Sequence, residues 1–185
     1  MSDAIYQLID QKIIDYAEIV VNLFDHCNMR CAFCFQDHED TQGLSKEEIM
    51  SKVPIALDFI NNNTISKYFK MHFMGGEVFQ DHLIDAGYLD IYQEFYDAVR
   101  AGIEDKTKEL VLNPITNLVF DRTEQVMEFV NKNNITLSIS YDSKGRFNRR
   151  EFATFKRNVE IFKEKIEMFS ITITRQTARA IVEGD

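Results

Sequence analysis

The sequence predicts an α/β fold: a partial (β/α) TIM-type barrel of parallel strands, built from about five βα units. Three observations carry that expectation. Short apolar runs rich in β-branched residues alternate with longer segments whose apolar positions recur at helical spacing. Proline and glycine number only two and seven in 185 residues, so no linker or second domain is marked. Small, polar or thiol-bearing residues follow each apolar run, which is where such barrels keep their chemistry.

Residues Ala4 to Ile14 are apolar at helical spacing, with Ser2 or Asp3 as cap, and predict an N-terminal helix within residues 1–16. The barrel is expected over 17–185. Its first strand is Glu18 to Phe24, mostly apolar and β-branched. Ser45 and Glu48 form a capping box that opens a helix to about Asn62, which Pro54 should kink or split. Tyr68 to Met74 is the second strand, and His82 to Arg100 the next helix, weakened at Gly87. Leu110 to Ile115 predicts a third strand despite Pro114. A helix follows from Asp121 and Glu124 to Lys132, and Thr136 to Tyr141 is the fourth strand. A helix over Glu151 to Lys165, with Phe152, Phe155, Val159 and Phe162 on one face, leads to a fifth strand, Phe169 to Thr174.

At 45% hydrophobic and 12% aromatic, the chain can bury one core. Its net charge of −9 argues against a nucleic-acid surface, which needs clustered Lys and Arg. No apolar run is long enough to span a bilayer, and no signal peptide is evident, so a cytoplasmic protein with no membrane contact is expected. Three cysteines cannot form a disulfide framework, and the reducing cytosol suits them.

Those cysteines are Cys27, Cys31 and Cys34, in a C-x-x-x-C-x-x-C array directly after the first strand. A structural zinc site or an ordinary iron–sulfur cluster wants four protein ligands. Three thiolates leave one position open, as catalytic metal sites do. Two other readings remain at this point. The spacing also suits three thiols buried on one helix face, and His26 or His38 could complete a Cys3His zinc site.

The other strand ends supply partners. The second delivers Gly75, Gly76 and Glu77, the third Thr116 and Asn117, the fourth Ser140 and Asp142. In a singly wound sheet these converge on one rim. Glycines permit close backbone approach, so carbonyls near Gly75 and Gly76 could accept from a ligand ammonium, with Glu77 adding a charge-assisted bond. Each segment is also an ordinary turn former.

The cysteine array, with Phe33 as the aromatic before its last cysteine, resembles the cluster motif of the radical SAM superfamily. Gly75-Gly76-Glu77 resembles its GGE motif. Thr116-Asn117 and Ser140-x-Asp142 resemble segments of its SPASM-type, peptide-modifying branch. The resemblance implies that the three cysteines hold a [4Fe-4S] cluster whose fourth iron is chelated by S-adenosylmethionine. It implies that Gly75, Gly76 and Glu77 bind the methionyl amine, that the surroundings of Phe33 touch the adenine, and that Ser140 with a downstream arginine holds the carboxylate and ribose region. Arg149 is the candidate arginine, with Arg150 close behind. An electron from a donor such as flavodoxin or ferredoxin would cleave S-adenosylmethionine to a 5′-deoxyadenosyl radical, which takes hydrogen from a substrate, by branch resemblance a peptide or protein.

The chain departs from the pattern in places. Val78, Leu118 and Ser143 stand where family members carry Pro, Gly and Gly. No cysteine remains for auxiliary clusters. The fifth strand is the last expected where the usual core has six, so the chain reads as a fragment or a reduced member. The alternative function is a truncated, non-catalytic domain that binds a cluster or zinc.

Overall fold

The computed structural model describes residues 16–31, 33–34, 44–142, 146–173 and 175–184. The helix expected over residues 4–14, together with His38 and Ser143, lies outside them. Six parallel strands form the centre: β1 (Tyr16–Asn22), β2 (Tyr68–Met74), β3 (Glu109–Leu112), β4 (Ile115–Thr116), β5 (Leu137–Ser140) and β6 (Ile166–Ser170). They make two three-stranded sheets, β1-β2-β3 and β4-β5-β6, that do not close into a barrel. This is the α/β, partial-barrel architecture that the alternation of strands and helices predicts.

The third strand differs from expectation. It is two strands, broken at Asn113-Pro114. Proline has no N–H and cannot continue a ladder. The chain changes partner there: Asn113 N donates to Met71 O of β2 (2.8 Å), while Ser138 N of β5 donates to Pro114 O (3.0 Å). The Asn113 side chain, fully buried, holds the seam. Its amide donates to Thr136 Oγ1 (2.9 Å), and its oxygen accepts from Ser138 Oγ (2.6 Å). His72 is a core histidine, with Nδ1 2.9 Å from Asn113 O.

Seven helices are described: α1 (Lys46–Met50), α2 (Val53–Asn62), α3 (Asp81–Asp85), α4 (Tyr88–Gly102), α5 (Thr123–Lys132), α6 (Arg149–Phe162) and α7 (Arg175–Glu183). The capping box is present, with Glu48 N on Ser45 Oγ (3.2 Å) and Ser45 N on Glu48 Oε2 (2.8 Å). The helix behind it is split, and Pro54 lies in the first turn of α2, where its missing N–H costs nothing. The helix expected from His82 is also two. Gly87, at φ +86°, takes the left-handed turn between α3 and α4. The helix expected from Glu151 begins earlier, because Asn148 and Glu151 form a second capping box. The last strand begins at Ile166 rather than Phe169. It is an edge strand with mostly exposed side chains, so apolar patterning does not mark its start. The helix α7 was not expected.

Aromatic rings tie helices to strands. Phe73 of β2 meets Tyr92 and Phe95 of α4 at centroid distances of 5.4 and 5.6 Å, and Phe59 of α2 meets Phe69 at 6.3 Å. Phe79 meets Phe120 and Phe129 edge-on at 5.8 and 6.3 Å. Each fully buried ring stabilises the fold by about 1.5–3 kcal/mol. A polar contact fixes the end of α2. Lys108 Nζ donates to the carbonyls of Ile60 (2.6 Å), Asn61 (3.2 Å) and Asn63 (2.7 Å). These are acceptors a helix C-terminus leaves without partners. Lys108→Met keeps the aliphatic stem and removes the donors, and should cost about 1–2 kcal/mol by urea denaturation.

Candidate functional site

The C-terminal ends of the strands open on a cavity of 290 Å³. Cys27, Cys31, Phe33 and Cys34 line it from the segment after β1, Gly75, Gly76 and Glu77 from the end of β2, Thr116 and Asn117 from β4 and its exit, and Ser140 from β5. Met29, Met74, Ile115, Arg146 and Thr172 complete the wall. Two larger surface grooves, of 440 and 470 Å³, lie elsewhere and contain no cysteine. Among the expected site residues, Asp142 and Arg149 are the two that do not line the cavity.

The glycine pair is where the cysteine segment meets β2. Leu23 N donates to Met74 O (2.9 Å), Gly76 N to Phe24 O (2.9 Å) and Glu77 N to His26 O (3.1 Å). A Cβ on Gly75 would lie 2.7 Å from Phe24 O, and one on Gly76 only 1.8 Å from His26 O. Glycine is needed here because two backbones touch, and the segment it admits is the one that carries Cys27.

Glu77 is 1% exposed. Its Oε1 accepts from Phe79 N (2.9 Å) and Thr116 Oγ1 (2.7 Å), and its Oε2 from Asn117 N (2.6 Å). Burial pushes its carboxyl above the usual range, and the three donated bonds oppose that push. The side chain therefore ties the end of β2 to the exit of β4. Beyond it, Asn117 Nδ2 donates to Asn28 Oδ1 (2.8 Å) and lies 3.8 Å from Cys27 Sγ, while Asn117 Oδ1 accepts from Val119 N (2.8 Å). Asn28 returns a bond from its own amide to Val119 O.

Leu118 sits at φ +56° and is fully buried. The left-handed backbone is the conformation a glycine would take without strain. Leu118→Ala should cost about 3 kcal/mol through the cavity it leaves. Leu118→Gly should cost less, although it removes more, because it releases strain of about 1 kcal/mol. Denaturation of the two variants checks the order.

The arginine at the site is Arg146, not Arg149. Its Nη1 donates to Ser140 O (3.0 Å), Ser140 Oγ (2.9 Å) and Asp142 Oδ2 (3.0 Å), and its side chain is 8% exposed. The guanidinium also lies against Cys31. Its Nε is buried without a protein partner. Asp142 sits behind it, buried, with Oδ1 accepting from Thr172 N (2.8 Å). Arg149 and Arg150 are exposed in the first turn of α6, and Arg150 pairs with Asp121 at 3.5 Å. The Asn148 cap opens that turn, and neither arginine lines the cavity. Arg146 lies four residues from Asp142, and that carboxylate–arginine spacing was the signal available in the sequence.

Burial pushes the Cys27 thiol up to about 12, helped by the nearby Glu77 charge and opposed by Met29 N–H, 3.4 Å from its sulfur. Burial also raises Cys31, against the pull of Arg146. A thiol held protonated this way is deprotonated by a metal, so loading releases protons. Phe33, 39% exposed, stands at the cavity wall. Among the described residues, no three His, Cys, Asp or Glu side chains close on a point that would hold a single ion. The three thiols line one cavity.

The fold is a partial TIM-type arrangement, and the cavity lies at the strand C-termini. No family model and no curated protein matches the sequence. Solved structures do. The chain is similar to native anSMEcpe with bound AdoMet, with a TM-score of 0.64 and 19% identity over 90% of this chain and 46% of that one. It is similar to the same enzyme with bound AdoMet and the Kp18Cys peptide, with a TM-score of 0.62 and 18% identity over 90% and 46%. That neighbour is an anaerobic sulfatase-maturating enzyme of the SPASM-type branch. At such identities the likeness is one of fold, and this chain spans about half the length of those proteins.

Proposed function

We propose that this chain is the core of a radical SAM enzyme that acts on a peptide or protein. The observation that carries the reading is the convergence of Cys27, Cys31 and Cys34 with Gly75, Gly76 and Arg146 on one cavity. Cys27, Cys31 and Cys34 would hold a [4Fe-4S] cluster. The ends of Gly75 and Gly76, with Glu77 Oε2, would receive the methionyl amine of S-adenosylmethionine. Arg146, with its unpartnered Nε, would take the carboxylate, with Ser140 fixing the guanidinium. Phe33 and Met29 would give apolar contact to the adenosyl end.

Held by these residues, the two cofactors would supply one-electron reductive cleavage of the C–S bond of S-adenosylmethionine. The chain's part is to fix the geometry and to exclude water. Thr116, Asn117 and Asp142 act by position: Thr116 and Asn117 hold Glu77, and Asp142 holds Arg146. The electron would come from a flavodoxin or ferredoxin in a reducing cytoplasm. A peptide substrate is supported by the peptide in the anSMEcpe complexes. No helix among the described residues is long and apolar enough to cross a membrane.

The test is anaerobic reconstitution with iron and sulfide, then incubation with S-adenosylmethionine and dithionite. Formation of 5′-deoxyadenosine that needs both dithionite and all three cysteines is expected. A loaded chain that yields none is a binding domain and not an enzyme.

A further inference from the structure

We propose that Asn117 is a positioning residue that donates a hydrogen bond to the Cys27 sulfur and thereby raises the reduction potential of the cluster held there. The inference rests on the function proposed above and adds to it a role for the asparagine that binding of S-adenosylmethionine does not require.

The polarity of the contact is fixed from the backbone outward. Val119 N is a donor and lies 2.8 Å from the Asn117 side chain, so the atom facing it must be the amide oxygen. The amide nitrogen then has to face the cysteine loop. Val119 O is an acceptor, so the Asn28 atom on it must be the amide nitrogen, which turns Asn28 Oδ1 toward Asn117. One hydrogen of Asn117 Nδ2 goes to that oxygen at 2.8 Å. The other is left for Cys27 Sγ, 3.8 Å away.

The backbone that carries this side chain is fixed. Asn117 N is held by Glu77 Oε2 at 2.6 Å, and the next residue, Leu118, is locked by burial in a left-handed conformation. Cys27 Sγ also accepts from Met29 N at 3.4 Å. A thiolate that accepts hydrogen bonds spreads its charge. The reduced, more negative cluster gains most from that, so each donor raises the potential.

The experiment is an EPR-monitored redox titration of the reconstituted chain beside Asn117→Asp and Asn117→Ala, with iron and sulfide measured on each. Both variants should titrate at lower potential. About a tenfold loss in the reduced-to-oxidised ratio at fixed potential is expected, which is 59 mV for one electron. The aspartate, which adds a charge, should move further than the alanine. Variants that load iron fully and titrate with the wild type overturn the inference and leave the proposed function standing. A wild-type chain that takes up no iron overturns both.

Should the variants load poorly, the wild-type chain carries the test alone. With asparagine labelled at the side-chain amide with 15N, the reduced cluster should show a hyperfine coupling to that nitrogen. Its absence contradicts the inference.

Discussion

Gly76→Ala should sharply reduce the iron that the chain retains. The new Cβ would stand 1.8 Å from His26 O, 2.2 Å from His26 C and 2.5 Å from Asp25 O. All three atoms are backbone, so no side chain can swing aside. Either β2 or the segment into Cys27 must move, and the bonds Gly76 N to Phe24 O and Glu77 N to His26 O go with it. The expected cost is about 3 kcal/mol, at the top of the range for overpacking. Iron retained after reconstitution and desalting should fall at least tenfold, by about the 1.4 kcal/mol that tenfold represents or more. Gly87→Ala is the control. Its Cβ meets nothing within 4 Å, and only its φ of +86° resists substitution. It should cost about 1–2 kcal/mol and keep its iron.

Glu77→Ala should be among the most destabilising single changes at the site. It would strand Phe79 N, Asn117 N and the Thr116 hydroxyl in a place that is 1% exposed. A buried donor without a partner costs about 1–3 kcal/mol, so a loss of about 3–5 kcal/mol is expected by denaturation. Glu77→Gln keeps the shape but presents an NH2 group to a ring made only of donors. It should recover part of the loss and not all of it. A purely ligand-binding glutamate would behave otherwise: both variants would fold as stably as the wild type and differ only in affinity.

The sequence made the rim legible because a parallel α/β sheet puts its strand ends together whatever the details. Cys27, Gly75, Thr116 and Ser140 could be assigned to one place from strand order alone. What it hid was set by contacts between segments distant in the chain. Pro114 signalled a weak strand, but the partner change at Asn113 depends on Met71 and Ser138. Gly76 read as a residue that lets a ligand approach, whereas the nearest atom to its missing side chain is His26 O. Arg149 has the same chemistry as Arg146, but the capping box at Asn148 starts α6 there and Arg149 is exposed, while Arg146 lines the cavity. Leu118 reads in the sequence as an ordinary apolar residue, yet its backbone takes a left-handed turn. The early start of β6 is an exposed edge segment with no burial pattern to announce it.

All of this depends on a site with three thiolates from the chain and one position left for a small molecule. The most direct measurement is the EPR spectrum of the anaerobically reconstituted, dithionite-reduced chain, recorded with and without S-adenosylmethionine. The account predicts a [4Fe-4S] signal whose g-values change when the small molecule is added. A chain that binds zinc in preference to iron, or a cluster signal indifferent to S-adenosylmethionine, would contradict it.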